Sequence, residues 1–207
     1  SRREADHLNF PAFFSQVPTI VMRDRLAAFL GAAQGGLIEY GYVDAVRLTG
    51  HSCPTVAGAY LLTSRVLRAL YPDELPARGE IAVDFRAALE SGVSGVTAAV
   101  VGLLTGAAGS GGFKGLAGRF ARRELLHFGT DLPGQIRFTR LDNGQSLNAS
   151  LQLEEVPADP RLPGLLQTVL AGDAEPATIE LFAGLWQDRV RRILLEHFTD
   201  PDLVSLA

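Results

Sequence analysis

Cysteine, methionine and tryptophan each occur once in this chain of 207 residues. A lone cysteine excludes an internal disulfide framework and any structural zinc module built on several cysteines. It fits a reducing compartment, and a cytoplasmic location is the expectation. Positive charge is also scarce: 19 Lys and Arg stand against 23 Asp and Glu, giving a formal net charge of −4 and a pI near 5.6. A field of that sign offers no general attraction to a phosphate backbone, so nucleic acid is not an expected partner. Arginines cluster at Arg119, Arg122 and Arg123 and again at Arg189, Arg191 and Arg192. Both clusters lie beside acidic residues in helix-like stretches and read as solvated faces. Ser1-Arg2-Arg3 leads into no apolar run of the kind a secretory signal carries. Residues 91–113 lack any charge, but seven of them are glycine and no aromatic belt or polybasic flank frames them. That pattern predicts a buried helix rather than a membrane span.

What remains is the balance of an ordinary globular protein, with 47% hydrophobic and 20% charged residues. The expected fold class is α+β, a mixed or antiparallel sheet packed against helices. Residues 1–156 form the core domain and residues 157–207 a C-terminal helical extension. Residues 19–22 read as a short strand and 26–33 as a helix. Residues 37–49 read as a second strand, placing Ile38, Tyr40, Tyr42, Val46 and Leu48 on one face with Asp44 as a polar exception at an edge. Pro54 suits the first position of a helix, and Val56, Tyr60, Ser64, Leu67 and Tyr71 follow at helical spacing until Pro72 ends it. Residues 81–85 form another strand and 93–104 a buried helix. Asp142-Asn143-Gly144 turns a hairpin between strands at 136–140 and 147–153. Ile179, Phe182, Trp186, Val190 and Ile193 stripe a long amphipathic helix, which predicts docking on the domain or on a second copy in a homodimer.

Chemistry concentrates at Gly50-His51-Ser52-Cys53-Pro54. If Pro54 opens a helix, Cys53 is its N-cap, where free backbone N–H groups and the helix dipole favour thiolate over thiol. Extended backbone from His51 to Cys53 would turn both side chains to one side. A thiolate and an imidazole suit zinc, nickel or iron, but two ligands do not make a site. His7, ahead of an aromatic-rich segment, is the first choice for a third ligand; His127 and His197 are the others, with His197 read as a satisfied core histidine. Gly106, Gly109, Gly111, Gly112 and Gly115 with Lys114 form a second candidate, since backbone N–H groups and an ammonium can cradle an anionic cofactor. The run matches neither standard phosphate motif and reads rather as a tight turn.

The motif continues as Thr55-Val56-Ala57-Gly58-Ala59-Tyr60, and Leu104-Thr105-Gly106 leads into the glycine-rich run. Over residues 48–115 the chain thereby resembles the family named for the E subunit of formylmethanofuran dehydrogenase. The resemblance implies an α+β core, usually paired into a homodimer, with a metal near the His and Cys of the motif. It does not imply the formyl chemistry in the family's name. The chain departs from the family pattern at Val96 and Ala99, where a second cysteine and an Asp are common, and at Thr55, where glycine is usual. The cysteine-rich C-terminal zinc finger of many members is absent from it.

Three functions compete, beside a purely structural or interaction module for which the long C-terminal amphipathic helix is the best support. The lead is a metal-binding protein, zinc first and nickel or iron next, with His51, Cys53 and His7 as ligands and an open position for a small-molecule substrate. A haem protein would present the Cys-Pro thiolate to iron. A metal-free enzyme would use Cys53 as catalytic nucleophile.

Overall fold

The computed structural model describes residues 9–207. Its elements are β1 (Ile20–Asp24), α1 (Arg25–Phe29), β2 (Leu37–Tyr40), α2 (Tyr42–Thr49), α3 (Pro54–Leu70), β3 (Ala77–Arg78), β4 (Ile81–Phe85), α4 (Ser94–Thr105), β5 (Leu126–His127), β6 (Ile136–Arg140), β7 (Ser146–Leu151), α5 (Leu162–Leu170), α6 (Pro176–Arg191) and β8 (Val204–Leu206). A mixed sheet of three strands runs β2-β1-β3, and a second of five runs β5-β4-β6-β7-β8. The α+β class holds. Among the described residues no helix is long and apolar enough to cross a membrane.

The long helix α3 is buried on nearly every side, Val56, Tyr60, Leu61 and Leu67 being fully enclosed. It lies against α4, β7 and the π turn Arg192–Glu196 that extends α6. Its C-terminal end is finished by Arg140, whose Nη1 donates to Leu70 O at 2.8 Å while its guanidinium stacks 4.0 Å over the Tyr71 ring. The β6–β7 hairpin forms in the expected place, with Ile136 opposite Ala149.

Residues 42–49 correct the sequence expectation of one strand from 37 to 49. Only 37–40 extend as β2; the chain then coils into α2 with Tyr42, Ala45 and Val46 buried. Asp44 is no edge residue: its Oδ2 accepts the Gly41 N–H at 2.8 Å, half of a capping box. Spacings of three and four were hidden inside an apparent alternation of two.

Arg122 is the second correction. It sits in a loop, only 7% exposed, not on a solvated helix face. Its Nη2 and Nη1 donate to Asp24 Oδ1 and Oδ2 at 2.6 and 3.2 Å, and Arg78 Nη1 adds a third bond to Oδ2 at 2.9 Å. Asp24 also N-caps α1 by accepting from Ala27 N–H at 3.1 Å. Glycine is required at two neighbours: Gly79 and Gly106 have φ of +87° and +76°, and a Cβ on either would fall within 2.3 and 2.6 Å of the Arg122 guanidinium.

Residues 157–207 are woven into the same core. Val190, Ile193 and Leu203 are completely buried, and β8, which the pattern of the sequence did not announce, pairs antiparallel with β7.

Burial alone would raise the Asp24 pKa, but hydrogen bonds from Arg122, the Ala27 amide and Arg78 outweigh it and pull the group from 3.8 down to about 2. A depressed carboxylate stabilises the fold fully above its unfolded value and loses that contribution as pH falls from about 4 towards 2, about 2 kcal/mol in all. Asp24→Asn is therefore expected to cost about 3 to 5 kcal/mol at neutral pH, because two guanidinium groups lose their counter-charge in the interior. Urea midpoints across this pH range check both effects: the variant should start lower and show a flatter acid limb.

Candidate functional site

The motif Gly50–Pro54 is a corner between two helices. Gly50 closes α2 in the left-handed region at φ 79°, its N–H reaching Val46 O at 2.7 Å. Four residues later Pro54 opens α3, as its missing N–H permits. Cys53 is the N-cap, in extended backbone, and its Sγ accepts from Val56 N–H at 3.4 Å. The thiol is half-buried against the core and His51 is exposed.

Ser52, between them, is the best-held residue of the corner. Ser52 Oγ donates to Gln187 Oε1 at 2.9 Å, which obliges the Tyr42 hydroxyl, 2.8 Å away, to be the donor to Ser52 Oγ. Burial pushes the Tyr42 pKa up, against the Ser52 hydrogen bond, and so keeps that proton in place. The Ser52 carbonyl then accepts from Trp186 Nε1 at 3.1 Å and Gln187 Nε2 at 2.9 Å. Helix α6 thus clamps the backbone between the two candidate ligands. From the other side, Tyr42 meets Phe14 edge to face at 4.9 Å, and Phe14 stacks on Phe10 at 5.7 Å.

His51 and Cys53 share the corner, while the other histidines do not join them. His127 Nδ1 lies 3.1 Å from Asp84, and His197 Nδ1 lies 2.7 Å from Asp200. His197 is half-buried and satisfied by its hydrogen bond to Asp200. His7 lies outside the described residues. Among the described residues no three His, Cys, Asp or Glu side chains are grouped as a metal would need. Lys114 is exposed in the loop that Leu116 and Arg119 close with reciprocal backbone bonds of 2.8 and 2.9 Å. The glycine-rich run is a turn, with Gly115 at φ +96°.

Tyr42, Trp186 and Gln187 were not anticipated at the corner, since two of them are over a hundred residues distant in sequence from Ser52. Trp186 belonged to the expected apolar stripe, but nothing in the stripe indicated what its indole N–H would meet. Compared with known proteins, the chain matches no family model and no curated protein sequence.

Ser52→Ala leaves the Tyr42 hydroxyl and the Gln187 amide without a shared partner, and is expected to lower stability by about 1 to 3 kcal/mol. Since Trp186 is the sole tryptophan, its emission reports directly on this joint. Unchanged emission and an unchanged urea midpoint would show that α6 docks without the Ser52 relay.

Proposed function

We propose that the Gly50–Pro54 corner binds a transition metal, zinc foremost, through Cys53 and His51, and that this metal-binding site takes a small-molecule substrate. One observation carries the reading: the only sulfur nucleophile of the chain is held at the N-cap of α3 by Val56 N–H, half-open to the surface, with an exposed imidazole two residues away. Sulfur and imidazole nitrogen are the donors a borderline cation prefers. The coordination has to be completed from outside the described residues. His7 is the donor this reading names, because Phe14, seven residues after it, is seated on the Tyr42 that holds Ser52, and Phe10, three residues after it, stacks on Phe14. The likeness to the formylmethanofuran dehydrogenase E family supports the same reading.

A bound zinc ion would supply Lewis acidity towards a polarisable substrate oxygen. The protein's own part is positioning: Val56 N–H orients Cys53, and Trp186 and Gln187 keep the backbone between the donors from turning.

Elemental analysis of the whole protein, with zinc titration followed by Trp186 emission, tests this. One zinc per chain is expected. Cys53→Ala should weaken binding by more than about 100-fold, since even losing an outer partner of a ligand costs about 10 to 100-fold. His51→Ala should weaken it less, and Cys53→Ser should keep a trace. Loss of the cap costs only about 0.5 to 2 kcal/mol, so the variants stay folded. A folded Cys53→Ala protein with its full metal complement would overturn the assignment. A Soret band would replace zinc by haem, and a metal-free protein with a reactive thiol would favour cysteine catalysis.

Pairing into a homodimer belongs to the same proposal. The α6 stripe is largely consumed by docking, Val190 and Ile193 being buried. Leu166 and Leu170 of α5 with Ile179 and Leu181 of α6 remain exposed as an apolar surface for a second copy. Sedimentation at micromolar concentration should give a dimer, and Leu170→Glu should shift it to monomer.

A further inference from the structure

We infer that the protein has a second, separate ligand site: a cavity of about 350 Å³ lined by Arg25, Arg78, Glu80, Arg119, Phe120 and Arg122 that binds a small oxyanion. None of its lining residues belongs to the Gly50–Pro54 corner. The volume lies within the range of small-molecule pockets, about 300 to 1,000 Å³.

Charge is the first argument. Four guanidinium groups surround or line the cavity, and among the described residues two carboxylates pair with them: Asp24, bound to Arg122 and Arg78, and Glu80, bound to Arg25. Two positive charges are left in excess, in a protein whose overall charge is −4. Arg119 carries one of them, resting 4.6 Å over the Phe120 ring and 5.8 Å over Phe29, an arrangement that leaves its N–H groups for two oxygens of a carboxylate or phosphate.

Unmet hydrogen bonds are the second argument. Arg122 is more than nine-tenths buried, yet among the described residues its Nε has no hydrogen-bond partner, and that atom lies against Gly79, itself a lining residue. Glu80 Oε2 is likewise buried without a partner among them. Both atoms are closed to solvent, so an entering oxyanion meets them by a small rotation of the two side chains, and the cost of an unpaired buried N–H favours that rotation. An oxyanion that also carries a hydroxyl would meet Glu80 as well. Phosphate in its protonated forms and a 2-hydroxy carboxylate share that chemistry.

Inorganic phosphate and glycolate, each titrated into the whole protein at constant ionic strength and followed by amide NMR shifts, distinguish the two sources. Saturable shifts at residues 78–80 and 119–122 are expected with at least one probe; phosphate alone would assign the site to phosphates, glycolate alone to hydroxy carboxylates. Arg119→Gln, a surface change that spares the buried Asp24 pair, should weaken binding about ten-fold, the usual loss for one charge-assisted hydrogen bond. Lys114→Gln, on the same loop but outside the cavity, and Cys53→Ala should leave affinity unchanged. No saturation with either probe, or an equal loss from Lys114→Gln, would overturn the site.

Discussion

The architecture turns on one buried carboxylate. Asp24 ends β1, caps α1 and hydrogen-bonds both Arg78 and Arg122. Arg78 in turn donates through Nε and Nη2 to Leu103 O near the end of α4, at 3.0 and 2.7 Å. The backbone of Arg122 joins Phe113 O and Ala108, tying in the glycine-rich loop. A single negative charge therefore binds the three-stranded sheet, the close of α4 and the loop into one unit. Such a cluster adds little net stability over an apolar replacement, but removing one member alone strands charge in a low-dielectric interior. The positive φ of Gly79 and Gly106 follows from the same demand, since any side chain there would occupy the place of the guanidinium.

The corner at Cys53 is built by a different physics. Local backbone chemistry ends one helix with glycine and begins the next with proline, which exposes three residues between them. Local chemistry alone leaves that turn loose. Its rigidity comes from neutral hydrogen bonds delivered by Tyr42, Trp186 and Gln187, and from the aromatic column Phe10, Phe14 and Tyr42. The C-terminal helix can deliver them because Val190 and Ile193 bury it against α3, and β8 anchors the end of the chain on β7. A thiol on a held corner stays half-open to the surface while its backbone stays in register.

What could be read from residues in order was whatever depends on near neighbours. The cap at Cys53, the start of α3 at Pro54, the Asn-Gly hairpin and the strand at 81–85 all rest on contacts a few positions apart, and each stands where the pattern put it. The α2 region misled because Tyr40, Tyr42, Val46 and Leu48 satisfy a period of two, while the deciding contact, Asp44 to the Gly41 N–H, is a single polar bond. Arg122 misled because a charged residue in a polar, glycine-rich stretch is ordinarily solvated. Its burial depends on Asp24, ninety-eight residues earlier.

By itself, then, the sequence determined the α+β class, the helix that begins behind Cys53 and the concentration of soft donor atoms at that corner, because propensity, capping and turn chemistry act within a few residues. Only the tertiary structure decided which side chains hold Ser52, which arginines are buried, and that a cavity lined by arginines opens beside them. Those outcomes depend on pairing groups from distant segments, where burial makes an unpartnered charge or hydrogen bond costly and so selects the partner.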